Sequence, residues 1–117
     1  MAKMLDIQAE DYDEIINSDI PVAIEFWIKS CGNCAKFKAI YERLSEVFTD
    51  ILQFTRLNMF ESVKNLRLAE GLGVEITPTV KIFCNREEID EIVGFKPLDA
   101  VTVEIERIIK KLSRCKE

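Results

Sequence analysis

Residues 22–28, VAIEFWI, form a nearly continuous apolar run broken only by Glu25. A strand covered on both faces has this pattern, because neither side can expose a polar row to water. After Lys29-Ser30-Cys31-Gly32-Asn33-Cys34, apolar residues return at helical spacing at Phe37, Ile40, Tyr41, Leu44, Val47 and Phe48, while Lys36, Lys38, Glu42, Arg43 and Glu46 occupy the other face. The pattern therefore predicts a central strand running into an amphipathic helix, with two thiols at the junction.

The remaining elements are shorter. KMLDI is a strand candidate, and AEDYDEIINS predicts a helix with Tyr12, Ile15 and Ile16 on one face and acidic residues at its start, where the macrodipole favours them. Residues 53–58, QFTRLN, alternate as a strand does, with Phe54 and Arg56 on one side and Thr55 and Leu57 on the other. A helix is predicted over 61–70, ending at Gly71 or Gly73. Residues 79–84 and 88–93 read as two strands joined by a tight turn at Asn85-Arg86, and Pro97 opens a helix with Leu98, Val101, Ile105, Ile108 and Leu112 as its apolar stripe. Right-handed crossovers then give an α/β fold, with the early strands parallel, the last hairpin antiparallel to them, and helices on both faces of a mixed central sheet of four to five strands.

Composition narrows the function. At 117 residues the chain is expected to be one domain spanning 1–117. A net charge of -5 argues against nucleic acid, which requires clustered cations, and no apolar stretch reaches the length of a membrane span. MAKMLDIQAED has no signal-peptide apolar region, so a cytoplasmic protein is expected. The absence of histidine removes Ser-His-Asp and Cys-His catalysis and all histidine-containing zinc sites. The thiols are left as the candidates for chemistry.

A thiol attacks a disulfide as its thiolate. Cys31 precedes the helix, where free N–H groups and the positive end of the dipole stabilise an anion, and Cys34 lies one turn in. That spacing places Cys31 to attack and Cys34 to resolve. Binding of metal would require about four ligands, more than the Cys31/Cys34 pair supplies. No metal or other cofactor is expected. Cys84 reads as a small residue at a strand end and Cys115 as an exposed thiol.

The order Ile24-Glu25-Phe26-Trp27, Cys31-Gly32-Asn33-Cys34, Ile76-Thr77-Pro78-Thr79 and Val93-Gly94 resembles the thioredoxin family along nearly the whole chain. The resemblance implies the thioredoxin fold and a thiol-disulfide oxidoreductase that reduces protein disulfides through a Cys31/Cys34 cycle. It implies that Pro78 is cis against the cysteine pair, that the Thr77 backbone pairs with an extended substrate segment, and that Trp27, Gly32 and Gly94 border the same contact face. Glu25 takes the place of the family's buried aspartate and would accept the proton of Cys34, and Arg56 stands where a lysine is usual. A plain ion pair with Arg56 is the alternative role for Glu25. The implied partners are disulfide-containing proteins and an electron-donating reductase, with the chain a monomer.

Four positions depart from the family pattern. Ser30 replaces a tryptophan, Asn33 a proline, Glu25 an aspartate, and Ala39 the proline that kinks the long helix, so a straighter helix is expected. Ser30 and Asn33 also motivate a different class of function, a binding or adaptor module whose cysteines are regulatory or vestigial.

Overall fold

The computed structural model describes residues 4–115, with side chains as far as Leu112. Five strands form one sheet: β1 (Leu5–Asp6), β2 (Val22–Trp27), β3 (Gln53–Asn58), β4 (Thr79–Cys84) and β5 (Glu87–Val93), in the order β1-β3-β2-β4-β5. Four helices accompany them: α1 (Tyr12–Ile16), α2 (Gly32–Val47), α3 (Val63–Gly71) and α4 (Leu98–Cys115). None of the described helices is long and apolar enough to cross a membrane.

β1, β2 and β3 pair in parallel, and β4 runs antiparallel to β2. Because β5 is antiparallel to β4, it points the same way as the first three strands. The hairpin as a whole is thus not reversed, as the crossover argument had it; only β4 is. Its two-residue turn holds Asn85 and Arg86 at φ 53° and 73°, the paired positive values that match the twist of adjacent strands.

Alternation along β2 divides the molecule into two cores. Ala23 joins Phe37, Tyr41 and Leu44 of α2 and Val101, Ile105, Ile108 and Leu112 of α4 on one face. Val22, Ile24 and Phe26 pack with Ile16 of α1 and Ala69 of α3 on the other. Glu25 is in step with Ala23 and so points into the α2/α4 side, where it meets Arg56 at the same level of β3.

The long helix is α-helical without a break through Ala39. Its apolar stripe is narrower than the spacing predicts. Val47 is exposed and Ser45 buried, because the last turn of α2 leaves the sheet and Ser45 satisfies its hydroxyl on the Glu42 carbonyl at 2.6 Å. Leu98, at the start of α4, is likewise exposed while the four residues after it in the stripe are buried. Tyr41 lies wholly buried and donates its hydroxyl to the Thr55 carbonyl at 2.8 Å, which ties α2 to the sheet beneath Glu25.

Candidate active site

Cys31 is the residue that starts α2. Its backbone is extended, and its sulfur accepts the Cys34 N–H at 3.0 Å, satisfying one of the donors that every helix start leaves free. The same sulfur lies 3.5 Å from the Thr77 carbonyl, 46 residues away in sequence. Burial alone would raise the Cys31 pKa. Hydrogen bonds with Cys34 and Thr77 and the N–H groups of Cys34 and Asn33 outweigh it and hold the thiol below the ordinary cysteine value. Cys34 is 2% exposed, and desolvation, followed by its hydrogen bond with Cys31, pushes it up to about 11. Two cysteines one turn apart are thereby set apart in acidity, Cys31 the readier to ionise and Cys34 the slower.

The segment facing Cys31 is held from three sides. The Thr77-Pro78 peptide is cis. The Thr79 hydroxyl donates to the Ile76 carbonyl at 2.5 Å, and the Gly94 N–H donates to the Pro78 carbonyl at 2.8 Å. Gly94 has φ +82°, a left-handed conformation that glycine adopts without strain, and it is this bend after β5 that turns its N–H onto Pro78. Gly32 is different: a Cβ there would meet nothing within 4 Å, so packing within the chain does not require glycine at this position. Ile76 and Val93, both exposed, flank the groove. Their exposure is a tertiary property, and no spacing in the sequence marks them.

Glu25 has no exposed surface. Arg56 donates from Nε to one carboxylate oxygen at 2.8 Å, and the other oxygen has no hydrogen-bond partner among the described residues. Burial raises the Glu25 pKa above its ordinary value, and the Arg56 charge and hydrogen bond only partly oppose it. The Arg56 guanidinium also lies 4.3 Å from the centre of the Trp27 ring. Trp27, Arg56 and Cys34 line one cleft of about 200 Å³. No hydrogen bond joins Glu25 to Cys34 directly; Arg56 is the residue common to the carboxylate and the cleft.

The structure thus brings Cys31, Gly32, Cys34, Thr77, Pro78 and Gly94 to one end of the sheet, and places Glu25 inside with Trp27 at the cleft wall. Cys84, expected as no more than a small residue, is buried at the end of β4 and disulfide-bonded. The correction reflects a third dimension: the position of β4 in the sheet, not its sequence, determines what Cys84 can meet. The expectation for Cys115 concerns a side chain outside the described ones. Lys29 and Lys38, the latter predicted on the polar face of the long helix, line the cleft with Arg56.

The family model for Thioredoxin matches residues 3–107. The chain is 33% identical over 96 residues to Thioredoxin M4, chloroplastic, of Arabidopsis thaliana, covering 82% of this chain, and it spans about half (48%) of that relative's length. It is 31% identical over 91 residues to Thioredoxin of Griffithsia pacifica, covering 78% of this chain and 81% of the relative. Among solved structures, the thioredoxin of Malassezia sympodialis (Mala s 13) superposes with a TM-score of 0.80 at 23% identity, covering 97% of this chain and 93% of the other. The thioredoxin f2 complex with ferredoxin:thioredoxin reductase gives 0.80 at 24% identity, covering 91% and 94%. Two such structures share the fold; the family match and the sequence relatives carry more. The dithiol at the start of α2, the cis proline against it and the length of the match lead to one conclusion: this chain belongs to the thioredoxin family of thiol-disulfide oxidoreductases.

Proposed function

We propose that the chain reduces protein disulfides, with Cys31 as nucleophile and Cys34 as the resolving thiol. The observation that carries this reading is the placement of the two thiols, Cys31 at the start of α2 with its sulfur taking the Cys34 N–H at 3.0 Å and facing Thr77 at 3.5 Å, and Cys34 buried behind it, an arrangement that lowers the pKa of the first and raises that of the second. The Cys31 thiolate attacks one sulfur of the substrate disulfide; a mixed disulfide forms and one substrate thiolate leaves. Cys34 then loses its proton and attacks Cys31, forming the Cys31–Cys34 disulfide and releasing the second substrate thiol. Two electrons pass from the dithiol to the substrate. Glu25, buried behind the cleft with Arg56 holding it in place, is the proton acceptor for Cys34. The Thr77 backbone pairs with an extended substrate segment laid across Gly32, Pro78 and Gly94, beside Trp27.

A reductase returns the disulfide to the dithiol; the solved thioredoxin f2 complex shows a family relative seated on such an enzyme. The same proposal has the chain working as a cytoplasmic monomer. Chloroplast relatives show that family membership alone does not fix the compartment.

Insulin reduction with dithiothreitol tests the reading. Wild type is expected to accelerate it and Cys31→Ser to be inert, whereas equal rates for the two would overturn the proposal. Cys34→Ser should trap partners through Cys31 as mixed disulfides. Partners that survive reducing agent would favour the adaptor alternative instead.

A further inference from the structure

The cleft beside Cys34 has an uneven charge. Lys29, Lys38 and Arg56 line it together with Trp27 and Cys34, and no carboxylate among the described residues does. This occurs in a chain with 21 acidic and 16 basic residues. Arg56 is occupied by Glu25, a carboxyl whose charged form is disfavoured by burial. Lys29 and Lys38 form no ion pair with a described residue, although other lysines of the chain, such as Lys81 and Lys111, do. The acidic residues of this side, Asp6, Glu42 and Glu61, line adjoining cavities that share Lys38 and Arg56, and in one case Lys29, with this cleft but do not reach Cys34.

Position gives this charge a use. Lys29 is two residues before Cys31, and Lys38 is about one turn, or ~5.4 Å, beyond Cys34 on α2. Both cations therefore border the cleft from which Cys34 attacks a mixed disulfide held at Cys31. The groove of Thr77, Pro78 and Gly94 takes substrate backbone; the basic cleft lies beside Cys34, Trp27 and Arg56.

We propose that Lys29, Lys38 and Arg56 form an anion subsite that selects disulfides bearing a carboxylate a few bonds from the reacting sulfur. The proposal rests on the exchange chemistry described above. In the selected reaction the Cys31 thiolate attacks the disulfide, one S–S bond forms as one breaks, and the leaving thiolate carries one carboxylate away. Cys34 then closes the Cys31–Cys34 bond and releases the second, so the substrate gains two electrons and two protons. The subsite adds no bond to this sequence. It raises the local concentration of anionic substrate and steadies the arm while the sulfurs align.

The test uses three small disulfides: 3,3′-dithiodipropionate (anionic), hydroxyethyl disulfide (neutral) and cystamine (cationic). Reduced full-length protein is mixed with each at low ionic strength and the second-order rate constants are measured. Two cations about 8 Å from a carboxylate in a water-like medium favour it about fivefold. The anionic-to-neutral rate ratio is thus expected to fall about fivefold in Lys29→Gln/Lys38→Gln, while the cationic-to-neutral ratio rises. Added salt should shrink the wild-type ratio in the same direction. Ratios that agree between wild type and variant overturn the subsite, as does a variant that slows all three disulfides alike. Failure of wild-type protein to reduce the neutral disulfide would instead count against the exchange chemistry itself.

Discussion

Replacing Glu25 by Gln isolates proton removal from Cys34. At pH 7, a thiol with a pKa of about 11 is ionised in roughly one molecule in 10⁴, against about three in a hundred for an ordinary cysteine. Desolvation is the largest cause of that shift, and it persists when Cys31 is tied up in a mixed disulfide. Without a base, resolution must rely on the rare thiolate, and its rate should climb about tenfold per pH unit toward the thiol pKa. A positioned base recovers on the order of 10²–10⁴. Glu25→Gln keeps an acceptor for the Arg56 Nε–H, now 2.8 Å from Oε1, so the fold should survive while the base is lost. The expected result is resolution slowed about 10²-fold at pH 7, with a steeper pH dependence than wild type. Rapid mixing with excess disulfide, acid quench and mass counting of the mixed disulfide measures this; Trp27, the chain's single tryptophan at the cleft wall, offers a parallel fluorescence signal. A resolution rate within threefold of wild type, with a superimposable pH profile, would refute the role of Glu25.

The same variant has an equilibrium signature of known sign. Because folding raises the Glu25 pKa above the ordinary glutamate value, the folded state holds the proton more tightly than the unfolded state. The stability this contributes is fully present below the unfolded pKa and is lost as pH rises through the folded one. Glu25→Gln removes that loss, so its stability relative to wild type should increase as pH rises above about 4.5.

Alkylation followed across pH should find Cys31 reacting with a midpoint below that of an ordinary cysteine and Cys34 protected until near pH 11; a common midpoint would contradict the split described above. Asn65 is wholly buried, accepts from the Ala9 N–H at 2.7 Å and donates to Gln8 and to the Asn58 carbonyl, so Asn65→Ala should cost about 2–4 kcal/mol in urea unfolding, and a loss under 0.5 kcal/mol would show that water replaces those bonds. Arg86 sits at φ 73°, where a Cβ is disfavoured, so Arg86→Gly should stabilise the hairpin by about 0.5–1 kcal/mol in the same assay; destabilisation would mean that its side chain contributes more than the strain removes.

How much of this was legible differs from residue to residue. The strand at β2, the helix at α2 and the hairpin turn at Asn85-Arg86 follow from local rules, since alternation, helical spacing and turn chemistry act over a few residues. Val47 and Leu98 matched the helical stripe yet lie exposed, because a stripe says which side of a helix can be buried and not how far the sheet extends beneath it. The direction of β5 followed from its pairing with β4 alone, and Cys84 was misjudged for the same reason: its surroundings come from strand order.

The sequence by itself determined the elements, the thiols at the start of a helix and, through its motifs, the family and its chemistry. Tertiary structure alone decided what those thiols are. Cys31 is held low by contacts that include Thr77, 46 residues away, and Cys34 is raised by burial under the folded sheet. Glu25 becomes a group of raised pKa only when the α2/α4 core excludes water from it, a shift that Arg56, brought alongside by β3, partly opposes. Local pattern encodes geometry within a few residues, whereas proton affinity depends on solvent and charge in three dimensions, and those exist only once distant segments are packed together.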